Sequence, residues 1–249
     1  MNLRLIRRAV ALGIALITII FRFWILRLGG PRTLERRARW LQESCGRVLR
    51  SMDIRCEVEG LIPTHGLVVA NHLSYLDIVV LSAVMPCFFV AKAEVGHWPY
   101  FGKAARMGGT LFLDRSSISS AEKVSGLMRE RLKLPIPVLL FPEGTSTDGT
   151  LRRFHGRLFE PAIIVEAPVT AVSIRYVTSD GTPERDLCWF GDAHFAPHLL
   201  KTLGRPAFRA ELRFGEPRVY PDRRIAARDT FAEISAMREH QESGVLQPV

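Results

Sequence analysis

Cysteine is scarce and scattered. Cys45, Cys56, Cys87 and Cys188 form no Cys-x-x-Cys pair, so the spacing of a zinc ribbon or a thiol–disulfide centre is missing. Their mostly apolar surroundings suit reduced, buried thiols in a cytoplasmic chain. Cys188, His194 and His198 can be drawn as metal ligands, but a fourth is not evident. No serine has glycine at both second-neighbour positions, which excludes the elbow of a serine hydrolase. Neither a P-loop nor a Gly-x-Gly-x-x-Gly turn occurs, so the usual nucleotide cradles are absent. Internal repeats and low-complexity linkers are lacking too. Acid is nearly missing from residues 1–50, where eleven arginines face only Glu35 and Glu43. The formal net charge of +9 therefore lies entirely on that segment, and the remaining residues balance.

A long unbroken apolar run is also lacking. Ala9 to Phe21 is free of charge, Arg22 interrupts, and Phe23-Trp24-Ile25-Leu26 resumes. A span needs about 20 apolar residues, so this stretch is marginal. A signal peptide is the rival reading, but the bulky residues 21–24 stand where cleavage would fall. Residues 31–52 place Leu34, Ala38, Leu41, Cys45, Val48 and Met52 on one helical face, with arginines opposite and Pro31 in the first turn. Two readings stand: a helix packed on the domain with a solvated arginine face, or an amphipathic helix in an anionic leaflet. The apolar neighbour favours the second. Residues 1–52 then form a two-helix membrane anchor at the cytoplasmic face of the inner membrane, and residues 53–249 the domain. No nucleic-acid reading motif accompanies these arginines.

From residue 54 strands and helices alternate. Expected strands are Ile54–Glu59, Leu67–Ala70, Phe88–Ala91, Thr110–Leu113, Val138–Phe141, Val169–Tyr176 and Phe208–Phe214. Expected helices are Leu76–Val84, Ser117–Lys133, Arg157–Val165 and Arg223–Gln241. Continuous apolar strands such as residues 138–141 imply a sheet covered on both faces. The fold class is α/β: a mixed, largely parallel central sheet flanked by helices. The last strand alternates more openly and reads as an edge.

Three stretches carry chemistry. Asn71-His72-Leu73-Ser74-Tyr75-Leu76-Asp77 follows a buried strand. Histidine is the usual side chain for taking a proton from a hydroxyl, and a carboxylate is its usual orienter. On a regular helix five residues turn the chain by roughly 500°, so the two side chains would point about 140° apart. They meet only if His72 lies in the turn before the helix, with Ser74 near its cap. Ser74 and Asp77 also fit a capping box, which needs no chemistry and is compatible with the first reading. Phe141-Pro142-Glu143-Gly144-Thr145 follows another buried strand, at the end where open α/β sheets bind ligands. It reads equally as a plain turn. Gly108 to Arg115 ends on an acid–base pair; Arg115 suits an anionic group, or forms a surface ion pair with Asp114.

In order and spacing, Asn-His-x4-Asp, Gly-x-x-Phe-Leu-Asp-Arg, Phe-Pro-Glu-Gly-Thr and Ala167-Pro168-Val169-Thr170 resemble the four blocks of the glycerolipid acyltransferase family. The likeness is to its bacterial 1-acylglycerol-3-phosphate acyltransferases and covers about residues 54–215. It implies an O-acyltransferase that moves a fatty chain from acyl-CoA or acyl-carrier protein to a lysolipid hydroxyl, with no cofactor and no metal. It implies His72 as general base and Asp77 as its orienter. Arg115, Glu143, Gly144 and Thr145 would hold the acceptor, and Lys92 and Gly102 would line the same cleft. Ala167-Pro168 would be structural or shape the acyl site. The implied acceptor is 1-acylglycerol-3-phosphate, giving phosphatidic acid. Ser146-Thr147-Asp148 departs from the Thr-Arg-Ser of many such members and raises lyso-ornithine lipid as the alternative, with Arg152, Arg153 and Arg157 as substitute cations. A non-catalytic membrane-binding module is the rival of another class.

Overall fold

A computed structural model describes residues 2–28, 33–98, 101–114 and 116–243. In chain order the elements begin with helices α1 (Leu3–Leu28) and α2 (Leu34–Ser51), then strands β1 (Ile54–Glu59) and β2 (Leu67–Ala70). Helix α3 (Tyr75–Val84), β3 (Phe88–Lys92), α4 (Phe101–Gly108), β4 (Leu111–Leu113), α5 (Ile118–Leu132) and β5 (Val138–Leu140) follow. The chain closes with α6 (Glu160–Ile164), β6 (Val169–Thr178), α7 (Phe195–Gly204), β7 (Phe208–Phe214) and α8 (Arg223–Ser243). The strands make one sheet in the order β1-β7-β6-β2-β5-β3-β4. Every neighbouring pair is parallel except β6 with β7.

Strand periodicity explains the layers. Val68 and Ala70 of β2 face one way and join Leu49, Leu76, Val80 and Leu81 of α2 and α3. Leu67 and Val69 face the other way and join Val124 and Met128 of α5 and Ala226 and Ile234 of α8. All four β2 residues are buried, which is why that strand reads as an unbroken apolar run. β7 is not an edge. It lies between β1 and β6, and its open alternation arises because alternate residues stay partly exposed. Helices α4 and α7 lie outside the expected set.

The N-terminal segment differs from a two-helix anchor. α2 buries Ala38, Trp40, Cys45 and Leu49 against the domain, and Leu49 and Met52 belong to the main core. Packing therefore runs across the 52/53 boundary. Pro31 lies outside the described residues. α1 is one continuous helix, the only one among the described residues long and apolar enough to cross a membrane. Arg22 is accommodated within it by an ion pair with Glu43 of α2, beside the edge-on contact of Phe23 with Trp40. Its outward face leaves Ile14, Ile17 and Phe21 more than half exposed, an apolar stripe suited to lipid.

The start of α1 is fastened to the domain. Arg8 is 2% exposed. Its Nε lies 2.9 Å from Asp53 Oδ2, and its Nη1 donates to the carbonyls of Leu203 at 3.3 Å and Arg205 at 2.7 Å. A cation there satisfies carbonyls that the end of α7 leaves open. Asn2 adds a bond to Gly204 O at 2.9 Å. Removing the guanidinium leaves those acceptors bare. Arg8→Ala should cost about 2 kcal/mol, discounted because Asp53 is partly exposed. That lowers the melting temperature by about 4–8 °C and speeds tryptic cleavage at Arg4 and Arg7. An unchanged melt and digest would show that this contact does not hold the helix.

Candidate active site

β2 and β5 are parallel neighbours in register from Leu67↔Val138 to Val69↔Leu140. Their carboxyl ends therefore emerge side by side, and the stretches at 71–77 and 141–147 must meet. Asn71 begins the turn. Its Oδ1 accepts from Ile174 N at 2.7 Å and its Nδ2 donates to Ile174 O at 3.0 Å. The side chain thus carries the β2–β6 ladder one rung further while the backbone leaves the sheet. Ser74 is the extended N-cap of α3, so His72 stands in the turn before the helix.

His72 Nδ1 lies 2.7 Å from Asp77 Oδ2. The same oxygen accepts the backbone N–H of Leu73 at 2.6 Å and of Ser74 at 2.9 Å. Oδ1 accepts the Tyr176 hydroxyl at 2.7 Å. Asp77 is wholly buried, whereas the His72 side chain keeps 18% exposure. With a carboxylate on Nδ1, the bonding pattern assigns the proton to Nδ1 and leaves a lone pair on Nε2. The ring stacks on Phe141 with centroids 4.0 Å apart.

The second turn grips the first. Gly144 adopts φ 76°, a left-handed backbone that glycine tolerates, and its N–H closes the turn onto Phe141 O at 3.0 Å. Glu143 is buried, with Oε1 accepting His72 N–H and Oε2 accepting Arg152 N–H, both at 2.8 Å. Burial pushes its carboxyl up to about 7, against the two N–H donors that favour the charged form. Thr147 donates to His72 O through its N at 2.8 Å and its Oγ1 at 3.3 Å. Both backbone groups of His72 are thereby fixed. Both oxygens of Glu143 are engaged by backbone donors, and Thr145 is half-buried beside them.

The other sequence candidates fall in different places. Lys92 is exposed at the carboxyl end of β3, on the same sheet edge as His72. Gly102 is buried in α4, where an added Cβ would stand 2.2 Å from Gly96 O; it permits a close backbone approach. Arg115 lies outside the described residues. Ala167 and Pro168 open β6 at the far end of the sheet, where Pro168 O accepts Leu67 N–H at 2.8 Å. Arg152, Arg153 and Arg157 are exposed. Cys188, His194 and His198 do not converge: Cys188 bonds Glu184 O, and His198 Nδ1 meets the Tyr75 hydroxyl at 3.2 Å. Among the described residues no set of His, Cys, Asp and Glu side chains gathers to hold a metal.

Sequence reasoning missed three features of the site. A small apolar recess lined by Val90, Ala91, Leu113, Leu140, Phe141 and Leu158 shares Phe141 with the His72 ring. Tyr75, Trp98, Trp189 and Phe195 form an aromatic wall, tied to the turn by Trp189 N–H on Leu73 O at 2.8 Å. Tyr176 is the third. A tyrosine in step with the inward-facing Val172 and Ile174 was the available signal, because a buried hydroxyl demands a partner.

Comparison with known proteins places this geometry. Residues 53–175 match the Acyltransferase family. The lyso-ornithine lipid O-acyltransferase of Pseudomonas aeruginosa is 34% identical over 204 residues, 80% of this chain and 78% of that protein. The 1-acyl-sn-glycerol-3-phosphate acyltransferase of Neisseria meningitidis is 39% identical over 151 residues, 59% of each chain. In fold, the crystal structure of the 1-acyl-sn-glycerophosphate acyltransferase from Thermotoga maritima superposes with a TM-score of 0.65 at 18% identity, covering 99% of this chain and 97% of that one. The family match spans the strands and turns that hold His72, Asp77 and Glu143, and the match to the Pseudomonas relative runs well beyond it. On that ground the chain belongs to the acyltransferase family and is an O-acyltransferase.

Proposed function

We propose that the chain transfers a fatty acyl group from the thioester of acyl-CoA or acyl-carrier protein to the free hydroxyl of a lysolipid. The observation that carries this reading is His72, held by a fully buried Asp77 at 2.7 Å and stacked on Phe141. His72 Nε2 takes the hydroxyl proton. The alkoxide oxygen attacks the thioester carbonyl, the tetrahedral intermediate collapses, and the C–S bond breaks. The departing thiolate recovers the proton from His72, so a free thiol and the acylated lipid leave. Glu143 braces the His72 turn through backbone bonds.

Two acceptors are supported by different residues. Arg152, exposed and fixed at its backbone to Glu143, suits the phosphate of 1-acylglycerol-3-phosphate. Ser146 stands where many phosphatidate-forming members carry the arginine of Thr-Arg-Ser, and Asp148 follows two residues on. Its carboxylate accepts Thr150 N–H and lies 3.6 Å from Arg185. It suits the ammonium of lyso-ornithine lipid and repels phosphate. The relative from Pseudomonas, named for lyso-ornithine lipid, is matched over more of its length than the one from Neisseria. For location, we place the apolar stripe of α1 in the cytoplasmic leaflet of the inner membrane, with the nearby arginines on anionic headgroups.

The chemistry predicts that His72→Ala folds normally and lowers acceptor-dependent thiol release by roughly a thousandfold. Retained transfer would remove His72 as the base, and a wild type inactive on every lysolipid tested would favour a binding module. For the acceptor, a phosphate-bearing substrate predicts a KM raised about tenfold by Arg152→Ala and left alone by Asp148→Asn. A lyso-ornithine substrate predicts the reverse. For Glu143, a folded pKa of about 7 lies above its ordinary 4.5. The neutral carboxyl is the one the fold prefers, so its contribution is complete below about pH 4.5 and is lost as pH rises through about 7. Denaturant melts should show wild type losing up to about 3 kcal/mol across that window relative to Glu143→Gln; parallel curves would disprove the shift. For the membrane, Ile17→Glu with Phe21→Glu should weaken binding to phosphatidylglycerol vesicles at least about tenfold without altering the melt. Undiminished binding would put the lipid face elsewhere.

A further inference from the structure

The reading above uses His72 and Asp77 and leaves one polar group in their immediate surroundings without a role. Tyr176 lies in β6 and is 2% exposed. Its ring meets Phe208 edge-on at 5.9 Å, and its hydroxyl donates to Asp77 Oδ1 at 2.7 Å. Its backbone N–H donates to Glu184 Oε1 at 2.8 Å. Glu184 Oε2 accepts from Arg238 Nη2 at 2.7 Å, and Arg238 Nη1 donates to Ile174 O at 2.6 Å. A buried chain of polar contacts therefore runs from α8 through Glu184 and Tyr176 to the carboxylate behind the histidine.

We propose that Tyr176 is a positioning residue for the acyl transfer, the outer member of a relay His72–Asp77–Tyr176 in which its hydroxyl sets the plane of the Asp77 carboxylate and draws part of its charge away from the imidazole. The proposal rests on His72 being the general base. Oδ2 already holds three donors, His72 among them. Oδ1 has the tyrosine. Without that donor a buried oxygen would stand bare, and the carboxylate would turn more of its charge toward the ring. The hydroxyl stays a donor at any working pH, because burial and the adjacent Asp77 charge push its pKa well above 10. Charged and titratable groups nearby are few. Cys56 and Cys188 face Tyr176, and burial raises both, Cys56 to about 11. Glu143 faces His72 and Asp77 from the second turn, and Glu184 and Arg238 pair with each other.

The test uses the full chain with palmitoyl-CoA and whichever of lysophosphatidate or lyso-ornithine lipid it acylates, reading thiol release. Tyr176→Phe keeps the ring and removes only the hydroxyl. It should lower kcat about tenfold, leave both KM values within about twofold, and shift the acid limb of the kcat/KM profile to higher pH, since a less neutralised carboxylate holds the imidazolium more firmly. In an Asp77→Asn background the same change should alter kcat by less than about twofold, because its route runs through that carboxylate. Losses that simply multiply, or an unmoved acid limb, would overturn the relay and leave a structural tyrosine. His72→Ala is the control. If it retains transfer, the base assignment fails; if it is inactive while Tyr176→Phe equals wild type, only the relay fails. Should Tyr176→Phe lack a cooperative melt, proton NMR of the wild type decides. A buried hydroxyl bonded to a carboxylate gives a slowly exchanging low-field signal, which should move with the titration of the His72 ring. A signal indifferent to that titration contradicts the relay.

Discussion

A single buried carboxylate sets the arrangement of this molecule. Asp77 carries its charge with no exposed surface, a placement that is unfavourable unless donors surround it. Two backbone N–H groups, one imidazole and one phenol do so. It also sits in the first turn of α3, where the open N–H groups of a helix favour negative charge. Each donor comes with a constraint. The two N–H groups fix the turn, the phenol fixes the distance to β6, and the imidazole is left with one usable orientation. For the proposed base, a side chain aligned in this way needs little further ordering when a hydroxyl arrives, and pre-ordering of that kind lowers a barrier.

The sheet supplies the second constraint. Because β2 and β5 run parallel in register, their loops leave the same edge together. The 141–147 turn can then bond both backbone groups of His72 through Glu143 and Thr147. The Pro-Glu-Gly turn thus serves backbone geometry. Glu143 is a carboxylate that the fold would rather keep neutral, yet its two oxygens tie together segments 71 and 152. Strain against solvation at one residue is the kind of conflict that functional sites accumulate.

Much of this was legible in the residues, and the exceptions have physical causes. Buried strands announced themselves because both faces of β2 and β5 are covered, leaving unbroken apolar runs. The offset between His72 and Asp77 forced the histidine out of the helix, and Ser74 takes the cap as expected. α4 escaped notice because it is short and begins and ends near glycine. α7 carries Pro197 in its first turn and a mixed surface, which blurs its period. The amphipathic face of α2 was seen correctly, but periodicity cannot say whether such a face meets lipid or protein; here it meets α3 and the core. Arg22 looked like the end of an apolar segment until Glu43 stood opposite. Tyr176 was hidden in a mixed strand beside Ser173, Arg175 and Thr178, and its partner lies 99 positions away.

Side-chain contacts also join the apolar helix α1 to the turn that holds His72. Arg8 of α1 is bonded to the carbonyl end of α7. Earlier in α7, His198 touches Tyr75, the first residue of α3 and three positions from His72. Burial lowers the pKa of His198 below its usual range, so near neutrality it acts there as an uncharged packing group among Tyr75, Trp189 and Phe195. An acceptor with its tail in a bilayer has to present its hydroxyl at a fixed height above that bilayer. On the proposed reading, fastening α1 to α7, and α7 to the start of α3, sets the height of the imidazole relative to the apolar stripe through side chains packed in protein. That construction explains why an arginine is buried at the foot of the most apolar helix. A flexible tether would have held the enzyme near lipid equally well, but it would have left the distance between base and membrane unset.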